Sequence, residues 1–159
     1  MRHTISVLVT NEFGVLSRIS GLFSGRGFNI ESLTVAQTMD PEISRMTIIT
    51  TGSEKIIEQI TKQLNKLISV IKVHDFTGEK HIERELAMIK VSHKTENRAE
   101  ILSIVEIFRG RILDISPKSY TIEITGDCEK IGAITDILRP FGIKEIARTG
   151  SLVLGRSPK

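Results

Sequence analysis

The chain has 159 residues, 40% apolar and 26% charged, with one cysteine and a formal net charge of +3. That length suits one large domain or two small ones, and the apolar fraction is enough for a packed core. A lone Cys128 excludes an internal disulfide framework or a multi-cysteine zinc site, no apolar run approaches the roughly 20 residues of a spanning helix, and no basic block marks a nucleic-acid face.

Met1 to Thr4 runs straight into an alternating segment without an apolar signal block, so the chain is expected in the cytoplasm, off the membrane. Ile5 to Thr10 predicts a strand, with Ile5, Val7 and Val9 on one face. Asn11-Glu12-Phe13-Gly14 has turn chemistry. Val15, Leu16, Ile19, Leu22 and Phe23 then recur at helical spacing until Gly25 and Gly27 stop the helix. Ile30 to Thr38 and Ser44 to Thr51 predict two strands around an Asp40-Pro41 turn. Ser53 suits a helix N-cap, and Ile56, Ile57, Ile60, Leu64, Leu67 and Ile68 form the stripe of a second helix. Val70 to Val73 closes the unit as a fourth strand.

The same order then repeats. Arg84 to His93 predicts a strand, Ala99 to Phe108 a helix, and Ile112 to Ser116 and Tyr120 to Thr125 two strands. Ile131 to Leu138 predicts a helix, Ile143 to Thr149 a last strand, and 155–159 a frayed tail. Letters echo as well: Phe23-Ser24-Gly25-Arg26-Gly27 against Phe108-Arg109-Gly110-Arg111, and Thr51-Gly52-Ser53 against Thr125-Gly126-Asp127. The expected fold class is α+β, two tandem ferredoxin-like βαββαβ domains, over 1–76 and 84–159 with a linker at 77–83. Each sheet is expected to give one face to its helices and leave the other open, which favours pairing.

Most candidate chemistry falls away. His3, His74, His81 and His93 are scattered without ligand spacing, so no metal site is expected. Cys128 opens a helix and reads as a structural thiol. Glu79, Glu83 and Glu85 read as a solvated strand end. An RNA-binding sheet stacks bases on aromatic residues of its central strands. Here those strands carry none in the first unit and only Tyr120 in the second, so no nucleic-acid partner is expected.

The informative segment is Asn11-Glu12-Phe13-Gly14-Val15-Leu16. A helix start offers free N–H groups and partial positive charge to a carboxylate, Asn11 offers an amide, and Val15 and Leu16 offer apolar surface. These would suit a small zwitterion with an alkyl side chain. A plain turn, with Gly14 present for its backbone freedom, is the competing reading. Arg26-Gly27-Phe28-Asn29-Ile30 reads by itself as a helix stop and loop.

Together, Asn11 to Arg18, Gly21-Leu22-Phe23 and Arg26 to Val35 resemble the ACT domain of the small, regulatory subunit of acetolactate synthase (acetohydroxyacid synthase). Ser44-Arg45-Met46-Thr47 and Glu106 to Gly110 fit the same family, and the resemblance spans essentially the whole chain. It implies a non-catalytic subunit that binds no cofactor itself. Its large catalytic partner would carry thiamine diphosphate, magnesium and FAD. It implies activation of that partner and feedback inhibition by valine, in branched-chain amino-acid synthesis. It places valine on Asn11, Gly14, Val15 and Leu16 of one chain and Asn29 and Ile30 of the other chain of a homodimer, with Thr34 and Ala36 in support. Phe13 departs from the wider ACT pattern, where proline is commoner. The rivals are a free-standing amino-acid sensor of another pathway and a small phosphatase using Arg26 and Asn29.

Overall fold

The computed structural model describes residues 1–157, which divide into two units. The first takes residues 1–82 and the end of the chain from Ser151; the second is Glu83–Gly150.

In the first unit, β1 (Arg2–Thr10), α1 (Val15–Ser24), β2 (Ser32–Gln37), β3 (Ile43–Thr51), α2 (Glu54–Leu64) and β4 (Val70–Asp75) follow in turn. The sheet order is β2-β3-β1-β4, all antiparallel. Alternation decides what is buried: Ile5, Val7, Val9, Met46 and Ile48 pack on Val15, Ile19 and Phe23 of α1 and Ile57, Ile60 and Leu64 of α2. Gly27 ends the α1 segment with φ +70. Its left-handed backbone lets the Phe28 N–H donate back to the Phe23 carbonyl at 3.0 Å, while Phe28 packs on the core.

The second unit runs β5 (His81–Ser92), α3 (Arg98–Ile107), β6 (Arg111–Ile115), β7 (Ser119–Gly126), α4 (Cys128–Leu138) and β8 (Ile143–Arg148). Its strand order, β6-β7-β5-β8, is the first unit's order moved on by four. The repeat reaches a fine detail. The pairing of β1 with β4 slips at Leu8/Val9, and that of β5 with β8 slips at Lys90/Val91. Ala87, Ile89, Val91, Ile122 and Ile124 pack on Ile101, Val105, Ile131, Ile134 and Leu138. Among the described residues, no helix is long and apolar enough to cross a membrane.

Five expectations need correction. The stripe of α2 ends at Leu64; Asn65 donates to the Thr61 carbonyl, the chain turns, and Ile68 is fully exposed. Ser53 occupies the N-cap of α2 without a side-chain cap bond, whereas Asp127 caps α4 by accepting from the Lys130 N–H at 2.9 Å. The expected linker at 77–83 is a turn followed by β5, which starts at His81. The tail expected over 155–159 starts one residue later, because Gly155 still belongs to β9 (Leu152–Gly155), while 158 and 159 lie outside the described residues. Nor is Glu85 solvated. It is 3% exposed and accepts from Arg148 Nε at 2.6 Å and Nη2 at 2.8 Å.

That two-pronged hydrogen bond raises the Arg148 pKa further, chiefly through the bond itself and with burial opposing. The pair fastens β8 to the start of β5, where a buried carboxylate would otherwise stand alone. Arg148→Ala is expected to destabilise the chain by about 2 kcal/mol in a urea titration, the value held down by the half-exposed guanidinium.

Candidate functional site

Asn11, Gly14, Val15 and Leu16 gather at the junction of β1 and α1. Gly14 is the N-cap of α1, with φ +80 and ψ −1. Left-handed backbone there lets the chain leave the sheet and enter the helix within four residues, at little cost only for glycine. The Val15 N–H reaches back to the Glu12 carbonyl at 3.5 Å and that of Arg18 to Gly14 at 2.9 Å. Leu16 and Ser17 lie inside the first turn, where no helical carbonyl can reach their N–H groups.

The other helices neutralise their own starts. Glu54 sits in the first turn of α2, Glu100 in that of α3, and Glu129 in that of α4, which Asp127 also caps. The α1 start has no acidic residue in its first turn and no side-chain cap. Its partial positive charge is therefore left for something from outside the helix. Arg18 adds to it. Its guanidinium donates to Ser69 Oγ at 3.0 Å, and a β-carbon placed on Gly14 would lie 3.9 Å from its Nη2. Arg18 is not among the site residues expected from the sequence. Its position four residues after Gly14, on the same helical face, is the signal that points to it.

The apolar contribution is narrower than expected. Val15 is buried in the core at 3% exposure, and Leu16, 44% exposed, is the apolar side chain that remains at the mouth. Asn11 is tied into neighbouring loops. Its N–H donates to the Glu42 carbonyl at 2.7 Å and its side-chain amide to the Pro41 carbonyl at 3.0 Å. The Thr10 N–H bonds the Ser69 carbonyl at 2.9 Å. Three loops are thus laced along one rim, which presents Phe13, Met39 and Ile68, all fully exposed.

Asn29 and Ile30 do not join this group within one chain. They follow the far end of α1, whose ten residues span about 15 Å. The Asn29 carbonyl accepts from Thr50 Oγ1 at 2.6 Å, which fixes the loop while the Asn29 side chain stays exposed. Ile30 packs partly on the core. Thr34 and Ala36 are also apart from the mouth. On β2 they pair with Thr47 and Arg45, on the sheet face away from the helices, while Leu33 and Val35 take the core side. Arg26 lies in the turn after α1 and is exposed, with no helix start beside it.

The second unit fills its equivalent junction. The Asn97 side chain accepts from the Lys94 N–H at 2.8 Å, and Arg98 Nε donates to His93 Nδ1 at 3.2 Å. His93 Nε2 then donates to the Ser116 carbonyl at 3.0 Å, so its ring is fully used. Among the described residues, no group of three or more His, Cys, Asp and Glu side chains could hold a metal ion.

Comparison with known proteins covers both units. The family model for the AHAS small subunit-like ACT domain matches residues 5–72, and that for the small subunit of acetolactate synthase matches 84–157. The acetolactate synthase small subunit of Aquifex aeolicus is 53% identical over 156 residues, covering 98% of this chain and 81% of the relative. That of Mycobacterium leprae is 48% identical over 157 residues, covering 99% and 93%. The crystal structure of the acetolactate synthase small subunit from Thermotoga maritima superposes with a TM-score of 0.90 at 43% identity, over 100% of this chain and 99% of that one.

Gly14→Ala is expected to cost about 1 kcal/mol in urea unfolding, because the left-handed backbone is strained for any L side chain. Phe13→Ser, at a fully exposed neighbour, is expected to move stability by less than about 0.5 kcal/mol.

Proposed function

This chain belongs to the family of acetolactate synthase small subunits, and on that premise we propose that it is a regulatory subunit without catalysis of its own. Two copies hold a branched-chain amino acid, valine, between them at the α1 mouths, and its occupancy sets how the pair acts on the large catalytic subunit. The observation that carries this reading is the uncapped, unneutralised start of α1 beside Asn11 and Arg18. A small zwitterion matches it group by group. The carboxylate meets the free N–H groups of Leu16 and Ser17 and the charge of Arg18. The ammonium meets the Asn11 amide oxygen, and the alkyl group lies on Leu16.

That half-site is open to water on its outer side. Asn29 and Ile30, held about 15 Å away by α1, can complete it only from a second copy. An isologous pair would make two such sites, each shielded from solvent by the facing chain. The exposed Phe13, Met39 and Ile68 on the same rim fit a chain that works inside an assembly, since three fully exposed large apolar side chains on laced loops mark a contact surface. Thr34 and Ala36 would act at one remove, through the edge strand β2 and the β2–β3 loop that Asn11 holds.

Coupling to the catalytic subunit requires that valine bind one arrangement of the pair better than another. The Asn11 to Pro41 bond supplies a route: a ligand that draws on Asn11 also loads the 38–42 loop, and with it the rim. Thiamine diphosphate, magnesium and FAD belong in this scheme to the partner, and the present chain supplies binding and shape alone.

Isothermal titration of valine into the full chain is expected to give saturable binding, lost or weakened at least tenfold in Asn29→His. Undiminished binding by that variant would remove Asn29 from the site. Activity of the large subunit, assayed with and without this chain, is expected to rise on addition and to fall again as valine is titrated.

A further inference from the structure

The second face of the first sheet, expected to be open, is largely covered. Thr4, Ser6 and Thr47 on it are buried to 4%, 4% and 1% exposure. Over this face lies a recess of about 340 Å³, on the side of the sheet away from α1 and its mouth.

Register sets its floor. Leu8 stands between Arg45 on β3 and Lys72 on β4, and one step along Ser6 stands between Thr47 and His74. Arg45 and Lys72 therefore flank Leu8 from the strands on either side, with roughly 10 Å between their backbones. The wall comes from two other segments. Lys80 belongs to the turn after β4, and Arg156 follows β9 where Gly155 rests against the Phe76 ring.

The charge is one-sided. Arg45, Lys72, Lys80 and Arg156 face Glu79 as the one lining carboxylate, and Glu79 is already engaged by His74 Nε2 at 2.9 Å. Among the described residues, none of the four cations meets a carboxylate at ion-pair distance. Arg45 is half-buried and is oriented by its bond to Ser6 Oγ at 3.2 Å. The Thr47 hydroxyl, across from Ser6, is buried with no hydrogen-bond partner. Four cations drawn from four separate segments repel one another, and a recess that concentrates them around a single, already engaged carboxylate is complementary to a compact, multiply charged anion. The volume exceeds that of a lone chloride and accommodates a tetrahedral oxyanion with a short substituent.

We propose that this recess binds a dianion of the phosphate class, either inorganic phosphate or a small phosphate monoester. Arg45 provides forked hydrogen bonds from the floor, Lys72 and Lys80 provide charge, and Arg156 closes the site from the chain's end. The site is separate from the α1 mouth and does not depend on the reading of that mouth. Because Arg156 follows β9, an anion held here would also bind the residues just after β9 to the sheet face.

The test is calorimetric titration of the full chain with inorganic phosphate and, separately, glycerol 3-phosphate, against sodium chloride at matched ionic strength. Saturable binding of phosphate or of the monoester is expected, and the tighter of the two identifies the source. Arg45→Gln and Lys72→Gln are each expected to lower that affinity about tenfold or more, while Lys144→Gln, an exposed cation of β8, leaves it unchanged. Lys72 is exposed, so its variant folds normally even if the Arg45 variant does not. A response no different from that to chloride would overturn the proposal. So would equal losses in the Lys72 and Lys144 variants, or a flat titration, which would leave the recess to an acidic group of another subunit.

Discussion

Ten residues of helix govern how this chain can work. The α1 segment begins at a left-handed glycine, lies on the sheet through Val15, Ile19 and Phe23, and ends at a second left-handed glycine. Both ends are fixed by backbone conformations that few other residues adopt easily. The helix is therefore a spacer of set length, about 15 Å, between a bare N-terminal mouth and a pinned loop carrying Asn29 and Ile30. Groups held that far apart on one rigid element cannot both touch a ligand the size of an amino acid. In the proposed reading, pairing of two chains brings such groups to one place, and the ligand then sits where a change between chains is felt.

The second unit repeats the first down to the irregularity beside its central strand, and differs where the first has its mouth. Lys94, Asn97, Arg98 and His93 use one another's hydrogen-bonding groups at that junction. The second unit repeats the packing and fills the junction. Glu85 and Arg148 show a similar economy at the edge of the same sheet, where a buried carboxylate is matched by a forked guanidinium. In the first unit the corresponding capacity to bind is left unspent, at the start of α1 and in the cationic recess over Ser6 and Leu8.

Much of this is legible in the sequence, and the exceptions have causes. Strand order follows from two rounds of the same apolar alternation, and Gly14 and Gly27 mark both ends of α1. A period of 3.6 says which face is apolar but not where the helix stops, so Ile68 continues the stripe on paper and lies in a turn in the fold. Val15 and Leu16 are adjacent and alike, and only packing decides that one enters the core and the other remains at the mouth. Thr34 and Ala36 alternate with Leu33 and Val35, yet which pair faces the helices depends on pairing with Met46 and Ile48. Glu85 reads as solvated because its partner is 63 residues away. The placing of β9 is long-range in the same way, since it pairs with β5, far back along the chain.

The sharpest measurement is valine binding by mixed assemblies of two defective variants, Asn11→Ala and Asn29→His. Each variant alone spoils every site of its own pair. If the site is shared between copies, mixing equal amounts and letting the pairs exchange leaves one intact site in each hybrid, restoring about a quarter of the wild-type sites. Regained binding near that level is the expected result. No regain, with exchange verified by mass spectrometry, would mean that each chain carries its site alone and would contradict the role of α1 as a spacer between two halves of a shared site.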